Sequence, residues 1–121
     1  MPSVRHHSGT AVQDNCDVNA NSNAGCGVNI NEPHSYGPDF NNNGGGYYAM
    51  ERTDQNILIW FWPRHASNIP SDVINHTGSV NTEYWGNPSA SFPSTQCDIA
   101  NKFGPNRITI NCKYSLLLSS W

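Results

Sequence analysis

The sequence predicts an all-β protein, either an antiparallel sandwich or part of one. Two strand-like segments lie on either side of a polar turn, and the second is rich in aromatic and β-branched residues. Asn, Ser, Gly and Pro fill the long stretches between the apolar segments, as they do in loops. No stretch shows a convincing amphipathic helical period. Together these observations favour a β-sandwich with long connections.

The strands can be placed in order along the chain. Residues 8–46 are predicted to form long loops, with one short strand near residues 11–13. Residues 47–52 and 57–62 are predicted to form a hairpin, because turn-favouring residues separate them. Pro63 ends the second of these strands, since proline cannot donate to a sheet ladder.

The second strand of this hairpin is apolar on both faces. Alternation places Ile57, Ile59 and Phe61 on one face and Leu58, Trp60 and Trp62 on the other. We therefore predict a central strand that is covered on both sides, with Trp60 and Trp62 in the core.

The second half of the chain is predicted to contain little regular structure. Residues 64–96 form one long connection, with a helical turn near residues 71–74, and residues 107–111 form a last strand. Long connections in a compact domain often carry function.

Charge and apolar patterning exclude two classes of partner. The net charge is -3, and the six Lys and Arg residues are scattered, so a nucleic-acid partner is not expected. No apolar run approaches the roughly 18 residues of a membrane span. No cofactor or metal site is expected, because no Cys and His spacing typical of zinc is present.

The cysteines indicate an oxidising compartment. An even number of cysteines in a small, loop-rich chain predicts disulfides, although their pairing cannot be deduced. The candidates are Cys16, Cys26, Cys97 and Cys112. Asn75 begins an Asn-His-Thr sequon and is a candidate for glycosylation. The N-terminus leads straight into polar sequence and shows no apolar signal region.

Several short motifs occur in a fixed order along the chain. They include Gly25-Cys26-Gly27-Val28, Ser35-Tyr36-Gly37-Pro38, Tyr48-Ala49-Met50-Glu51, Trp60-Phe61-Trp62-Pro63, Ile69-Pro70-Ser71-Asp72 and Phe92-Pro93. This set resembles the C-terminal part of fungal glycoside hydrolase family 16, the laminarinase-type endo-β-1,3(4)-glucanases. The resemblance implies a partial concanavalin-like jelly-roll β-sandwich, a β-glucan partner lying in a concave cleft, and secretion.

The resemblance also suggests how the chain is divided. We expect an N-terminal tail at residues 1–8, a family 16 segment at residues 9–111 and an atypical C-terminal tail at residues 112–121. The last segment fits a shifted reading frame or a retained intron better than a family terminus. We therefore expect a truncated product or an incomplete gene model.

The acidic residues do not fit a retaining glycosidase, which needs two carboxyl groups about 5–5.5 Å apart. The resembled family supplies them from a Glu-x-Asp-x-x-Glu segment. Glu32, Glu51 and Glu83 are the only glutamates here, and none begins that pattern. Glu51 is expected to be structural and to pair with Arg52 or Arg64. We therefore predict no catalytic residue and no hydrolysis by this chain alone.

Aromatic residues beside the loops are the candidates for binding sugar. An aromatic ring offers an apolar face that fits the C–H face of glucose. The candidates are Trp85, Tyr84, Tyr36 and Tyr47. The favoured function is a fragment of a β-glucanase. Alternatives are a secreted lectin-like β-glucan-binding protein and a structural protein that self-associates through an uncovered sheet face.

Overall fold

A computed structural model of the chain describes residues 6–75 and 78–107. These residues form mostly antiparallel strands with a few short helices, so the predicted all-β class is confirmed. The strands are β1 (Thr10–Ala11), β2 (Val28–Asn29), β3 (Gly46–Arg52), β4 (Asn56–Pro63) and β5 (Ala90–Pro93). The helices are α1 (Gly37–Asn42), α2 (Ser71–Asn75) and α3 (Ile99–Lys102). Short 3-10 turns occur at Asn21–Asn23, Thr82–Tyr84 and Ser94–Gln96.

The strands form two sheets. β1 pairs with β2 in a small ribbon, and β3, β4 and β5 form a three-stranded sheet in that order. Every pair is antiparallel. Within the described ranges, no helix has the length and apolar character that crossing a membrane would require.

The predicted hairpin is confirmed as β3 and β4. Tyr47 lies opposite Trp62, and Ala49 lies opposite Trp60. The turn is closed by the backbone N–H of Thr53, which donates to the carbonyl of Asn56 at 2.8 Å. β4 is the central strand of the sheet, as its two apolar faces indicated.

One face of β4 holds a cluster of three tryptophans. Trp60 and Trp62 are only 3% and 4% exposed, which confirms that they belong to the core. Trp85 stands at 90° to both rings, with centroid distances of 5.1 Å to Trp60 and 5.7 Å to Trp62. Edge-to-face pairs of this kind stabilise a core by about 0.5–1.5 kcal/mol beyond the area that they bury.

The other face of β4 packs against α1. The Phe61 ring contacts Tyr48 from β3 and Phe40 from α1, with centroid distances of 4.6 and 6.3 Å. Gly46 permits this packing, because a Cβ atom there would lie 2.5 Å from the Phe61 ring and 2.6 Å from the Trp62 carbonyl. A larger residue at Gly46 would therefore displace the hairpin.

Several elements differ from the sequence prediction. The connection predicted over residues 64–96 contains β5, which pairs with β4 through Ile57 opposite Phe92. The helices α1 and α3 were not predicted, whereas the helical turn near residues 71–74 is confirmed as α2. The first strand lies at Thr10–Ala11, beside the predicted position. Most of the strand predicted at residues 107–111 lies outside the described residues.

One disulfide is present. Cys16 and Cys26 are bonded, with their Cα atoms 4.7 Å apart, and close a short loop before β2. In the chain-entropy view, a loop of this length contributes roughly 3 kcal/mol of stability. Within the described part of the chain, Cys97 carries a free, exposed thiol. Cys112 lies outside the described residues.

Candidate functional site

A shallow groove of about 480 Å³ lies on the tryptophan face of the sheet. It forms where α2 and the segment of residues 78–86 pass over β3. We call it the aromatic groove, and its side chains include Tyr47, Ala49, Asp72, Val73, Val80 and Trp85. Two of the four predicted sugar-binding residues, Tyr47 and Trp85, therefore meet at one place.

The Asp72 carboxylate connects α2 to the segment of residues 78–86 through hydrogen bonds. The Trp85 Nε1–H donates to both carboxylate oxygens at 3.1 Å. The backbone N–H of Asn81 donates to Oδ2 at 2.9 Å, and that of Val73 donates to Oδ1 at 3.0 Å. The N–H of Asn81 is the main cause that lowers the pKa of Asp72. The Trp85 and Val73 bonds add to this effect and desolvation opposes it.

Two further hydrogen bonds hold the segment of residues 78–86 on the sheet. The Thr82 hydroxyl donates to the Glu51 carboxylate at 2.8 Å. The Trp60 Nε1–H donates to the Gly86 carbonyl at 3.1 Å. Trp85 is thus held between two anchored residues, which limits the positions that its ring can take.

The structure places Glu51 in a different pairing from the predicted one. Its carboxylate accepts from Thr82, whereas Arg52 donates to the Gly104 carbonyl at 3.0 Å and Arg64 donates to the Gly44 carbonyl at 2.9 Å. The structural role expected of Glu51 is consistent with this bond. Its expected pairing with an arginine is wrong, because both guanidinium groups turn towards loop carbonyls instead.

Tyr47 is half-buried on β3 and faces the groove. The Arg64 guanidinium lies over its ring, 4.6 Å from the centroid, in a cation–π arrangement. One ring face of Tyr47 is therefore already occupied. Trp85 is only 9% exposed, because most of its ring packs against Trp60 and Trp62.

The other two candidate tyrosines are far more exposed. Tyr84 is 82% exposed and ends the turn that precedes Trp85, so it lies near the groove. Tyr36 is 81% exposed and lies immediately before α1, which packs on the opposite face of the sheet. The structure therefore brings Tyr47 and Trp85 together, with Tyr84 next to Trp85 in the chain and Tyr36 beside α1. Their contact with sugar stays a prediction.

A larger cavity of about 600 Å³ lies beside the disulfide, on the side of Ile57 and Phe92. Asp14 and Asp17 line its rim. Both are exposed, and the Asp17 carboxylate accepts from the backbone N–H of Asn19 at 2.9 Å. A general acid of a glycosidase is usually a carboxyl group shielded from water. Neither aspartate has that environment.

The described glutamates are separated as well. Glu32 accepts from the Ser8 hydroxyl at 2.8 Å, and its Oε2 atom is buried with no hydrogen-bond partner among the described residues. Glu32 lies near Tyr48, and burial and this carboxylate together raise the pKa of the Tyr48 phenol. Glu51 bonds to Thr82, and Glu83 is exposed. Within the described residues, no group of three or more His, Cys, Asp or Glu side chains is placed to hold a metal ion.

Asp72 was not predicted from the sequence to be a site residue. The motif Ile69 to Asp72 was noted, but an acidic residue in the first turn of a short helix is common and carries no indication of a tertiary contact. Asn75 is exposed at the end of α2. The rest of its sequon lies outside the described residues, so glycosylation stays a prediction.

The described residues define an all-β architecture with a groove on one face of a three-stranded antiparallel sheet. The chain belongs to glycoside hydrolase family 16, because residues 2–115 match the model of its XgeA-like catalytic domain. The boundaries expected at residues 9–111 stay a prediction.

Curated relatives are fungal. The chain is 43% identical over 109 residues to a probable glycosidase of Schizosaccharomyces pombe, covering 88% of this chain and 25% of that protein. It is 40% identical over 118 residues to an endo-1,3(4)-beta-glucanase of Arthroderma benhamiae, covering 94% of this chain and 25% of that protein. The chain therefore spans about a quarter of the length of these relatives.

Solved structures agree with the family. Laminarinase 16A from Phanerochaete chrysosporium, solved with two β-glucans in its donor and acceptor sites, matches with a TM-score of 0.81 and 51% identity. That match covers 86% of this chain and 35% of the laminarinase. An elongating family 16 β-1,3-glucosyltransferase matches with a TM-score of 0.69 and 40% identity, covering 83% of this chain and 31% of that one. These names are those of enzymes and do not favour the lectin alternative.

Proposed function

We propose that this chain supplies part of the glucan-contacting surface of a family 16 endo-β-1,3(4)-glucanase, and that alone it holds β-glucan without cutting it. The observation that carries this proposal is the aromatic groove, in which Tyr47 and Trp85 meet beside a single carboxylate, Asp72. The names of the relatives, which include endo-1,3(4)-beta-glucanases and a laminarinase, support the choice of β-glucan.

Binding would use the open ring surfaces of the groove. A pyranose stacks its C–H face on an aromatic ring, and nearby polar groups fix its orientation. Tyr84 offers the most open ring on this side of the sheet, next to Trp85 in the chain. Tyr47 offers one face, because Arg64 covers the other.

Hydrolysis would need a second carboxyl group across the groove from the first. Retaining glycosidases place the two groups about 5–5.5 Å apart. Asp72 is the only Asp or Glu that lines the described groove. Each of the two half-buried glutamates, Glu32 and Glu51, already accepts a structural hydrogen bond from another part of the chain. We therefore propose that the isolated chain leaves the glycosidic bond intact.

The cellular setting proposed for this chain is extracellular. The Cys16–Cys26 disulfide supports an oxidising compartment, where such bonds persist. We also propose glycosylation at Asn75, which lies exposed at the end of α2.

Self-association is a further part of the proposal. Tyr48 and Met50 project from β3 and are 51% and 57% exposed. β3 is also an edge strand of the described sheet. Exposed apolar side chains on an unpaired edge favour contact with a second sheet.

Retention on insoluble β-1,3-glucan tests the proposed function. We expect the full chain to be retained, and Tyr47→Ala and Tyr84→Ala to lower the retained fraction, because Tyr47 lines the groove and Tyr84 carries an exposed ring next to Trp85 in the chain. Tyr36→Ala is the matched control: it removes an equally exposed ring on the other face and should change nothing. A wild-type chain that passes through without retention would refute the proposal, as would a loss seen only with Tyr36→Ala.

A further inference from the structure

We propose that Asp72 is the positioning residue of the aromatic groove: its carboxylate fixes the orientation of the Trp85 indole and the path of the segment of residues 78–86. This inference deepens the proposed function and rests on it for the link to glucan. No contact between Asp72 and sugar is required.

The geometry of Trp85 shows why a second anchor is needed. Its contacts with Trp60 and Trp62 are both edge-to-face at 90°, and they fix the plane of the indole. Apolar contacts of this kind do not select which edge of the ring carries the N–H group towards α2. The two 3.1 Å contacts from Nε1 to Asp72 make that selection. A flipped ring would leave the N–H buried without a partner, which is costly.

Asp72 also orients the turn that precedes Trp85. Its Oδ2 atom accepts from the backbone N–H of Asn81 at 2.9 Å. The Asn81 side chain in turn accepts from the backbone N–H of Glu83 at 3.1 Å and caps the turn Thr82–Tyr84. One carboxylate thus determines where the turn begins and where the ring after it points. Tyr84, the most exposed ring on this side, lies between these two points.

The hydrogen bonds of Asp72 also argue against a catalytic role for it. A carboxylate offers about four lone-pair sites. Here three N–H donors, those of Val73, Asn81 and Trp85, point at the two oxygens, and the Trp85 N–H is shared between them, so each oxygen already accepts hydrogen bonds from the fold. A nucleophile or proton donor needs an oxygen that is open to the substrate. Asp72 therefore acts through Trp85 and Asn81.

NMR of the full chain tests this role directly. The Trp85 Nε1–H resonance is assigned by its absence in Trp85→Phe. In Asp72→Ala we expect this resonance to shift and its exchange with solvent to become about tenfold faster, because a hydrogen bond to a charged group is lost. Asp72→Asn keeps the shape of the side chain and serves as a second variant if the alanine variant unfolds. It should give a smaller change in the same direction.

Asp54→Asn is the matched control. Asp54 is exposed in the turn between β3 and β4, and its substitution removes the same charge as Asp72→Asn. It should leave the indole resonance of Trp85 and the retention on β-1,3-glucan unchanged. The Asp72 variants should lower retention towards the value of Trp85→Phe or below it. A purely structural role would instead move all the tryptophan indole resonances together, as in partial unfolding.

The failures of the two proposals can be told apart. If the Trp85 resonance is the same in wild type, Asp72→Asn and Asp72→Ala, the positioning role is overturned, regardless of the fraction retained on glucan. If the resonance responds as expected but retention on glucan is unchanged by the Asp72 variants, the link from Asp72 to binding is overturned. If the wild-type chain is not retained at all, the proposed function itself fails.

Discussion

Trp85 contacts both the core and the aromatic groove. Its ring packs against Trp60 and Trp62, and its N–H group donates to Asp72 at the surface. The same residue therefore contributes to stability and shapes the proposed binding surface. A substitution of Trp85 would therefore affect both the stability of the core and the shape of the groove. A substitution of Asp72 is expected to alter mainly the orientation of the Trp85 ring.

The lowered pKa of Asp72 predicts how stability depends on pH. Because the folded-state pKa lies below the ordinary value of about 4, the carboxylate stabilises the native state above that pH, and this contribution is lost as pH falls through the folded-state pKa. We expect the urea midpoint of the wild type to fall between pH 5 and pH 3 more than that of Asp72→Asn. Equal falls in both proteins would show that Asp72 has the same pKa in the folded and unfolded chains.

At the scale of elements, the hairpin of β3 and β4 depends on Gly46. We expect Gly46→Ala to lower the free energy of unfolding by about 1–3 kcal/mol, because the added Cβ overlaps the Phe61 ring and the Trp62 carbonyl. Gly104→Ala is the control, since an added Cβ there meets no atom within 4 Å. Urea unfolding measures both. A loss as small in Gly46→Ala as in the control would mean that α1 and Phe61 can move aside.

The elements differ in how far the sequence could predict them. β3 and β4 were predictable because they are neighbours in the chain, and alternation of Ile57 to Trp62 assigns each face. β5 could not be predicted, because it is short, ends in Pro93 and has little strand pattern of its own. It becomes a strand only by pairing with β4, which lies about thirty residues earlier in the chain. α1 was missed for a local reason: it lies within residues 8–46, which were predicted to be loops from their Asn, Gly and Ser content, whereas Pro38 is favoured in the first turn of a helix.

The residues of the aromatic groove could also be predicted only in part from the sequence. The aromatic candidates were found from residue type alone, and the structure brings Tyr47 and Trp85 together. Asp72 escaped prediction because its importance comes from two partners, Asn81 and Trp85, that lie nine and thirteen residues away. Hydrogen bonds between separate loops leave no periodic pattern in a sequence.

At the scale of the whole molecule, the described sheet is small and both of its outer strands are edges. Folded domains are stable by only about 5–15 kcal/mol, so exposed apolar residues such as Tyr48 and Met50 matter. We expect the purified chain to elute and scatter light as a species larger than a monomer. Met50→Lys should shift it towards the monomer, because a buried lysine would oppose the contact. A monomeric wild type with a sharp, cooperative melt would contradict this expectation.

Under the proposed function, this chain holds β-glucan but does not cut it. The most direct measurement is the release of reducing sugar when the full 121-residue chain is incubated with laminarin and lichenan. We predict no release above a blank without protein, even when the protein is concentrated enough to be retained on glucan. Release that rises with protein concentration and disappears when one of its acidic residues is replaced by its amide would contradict the account.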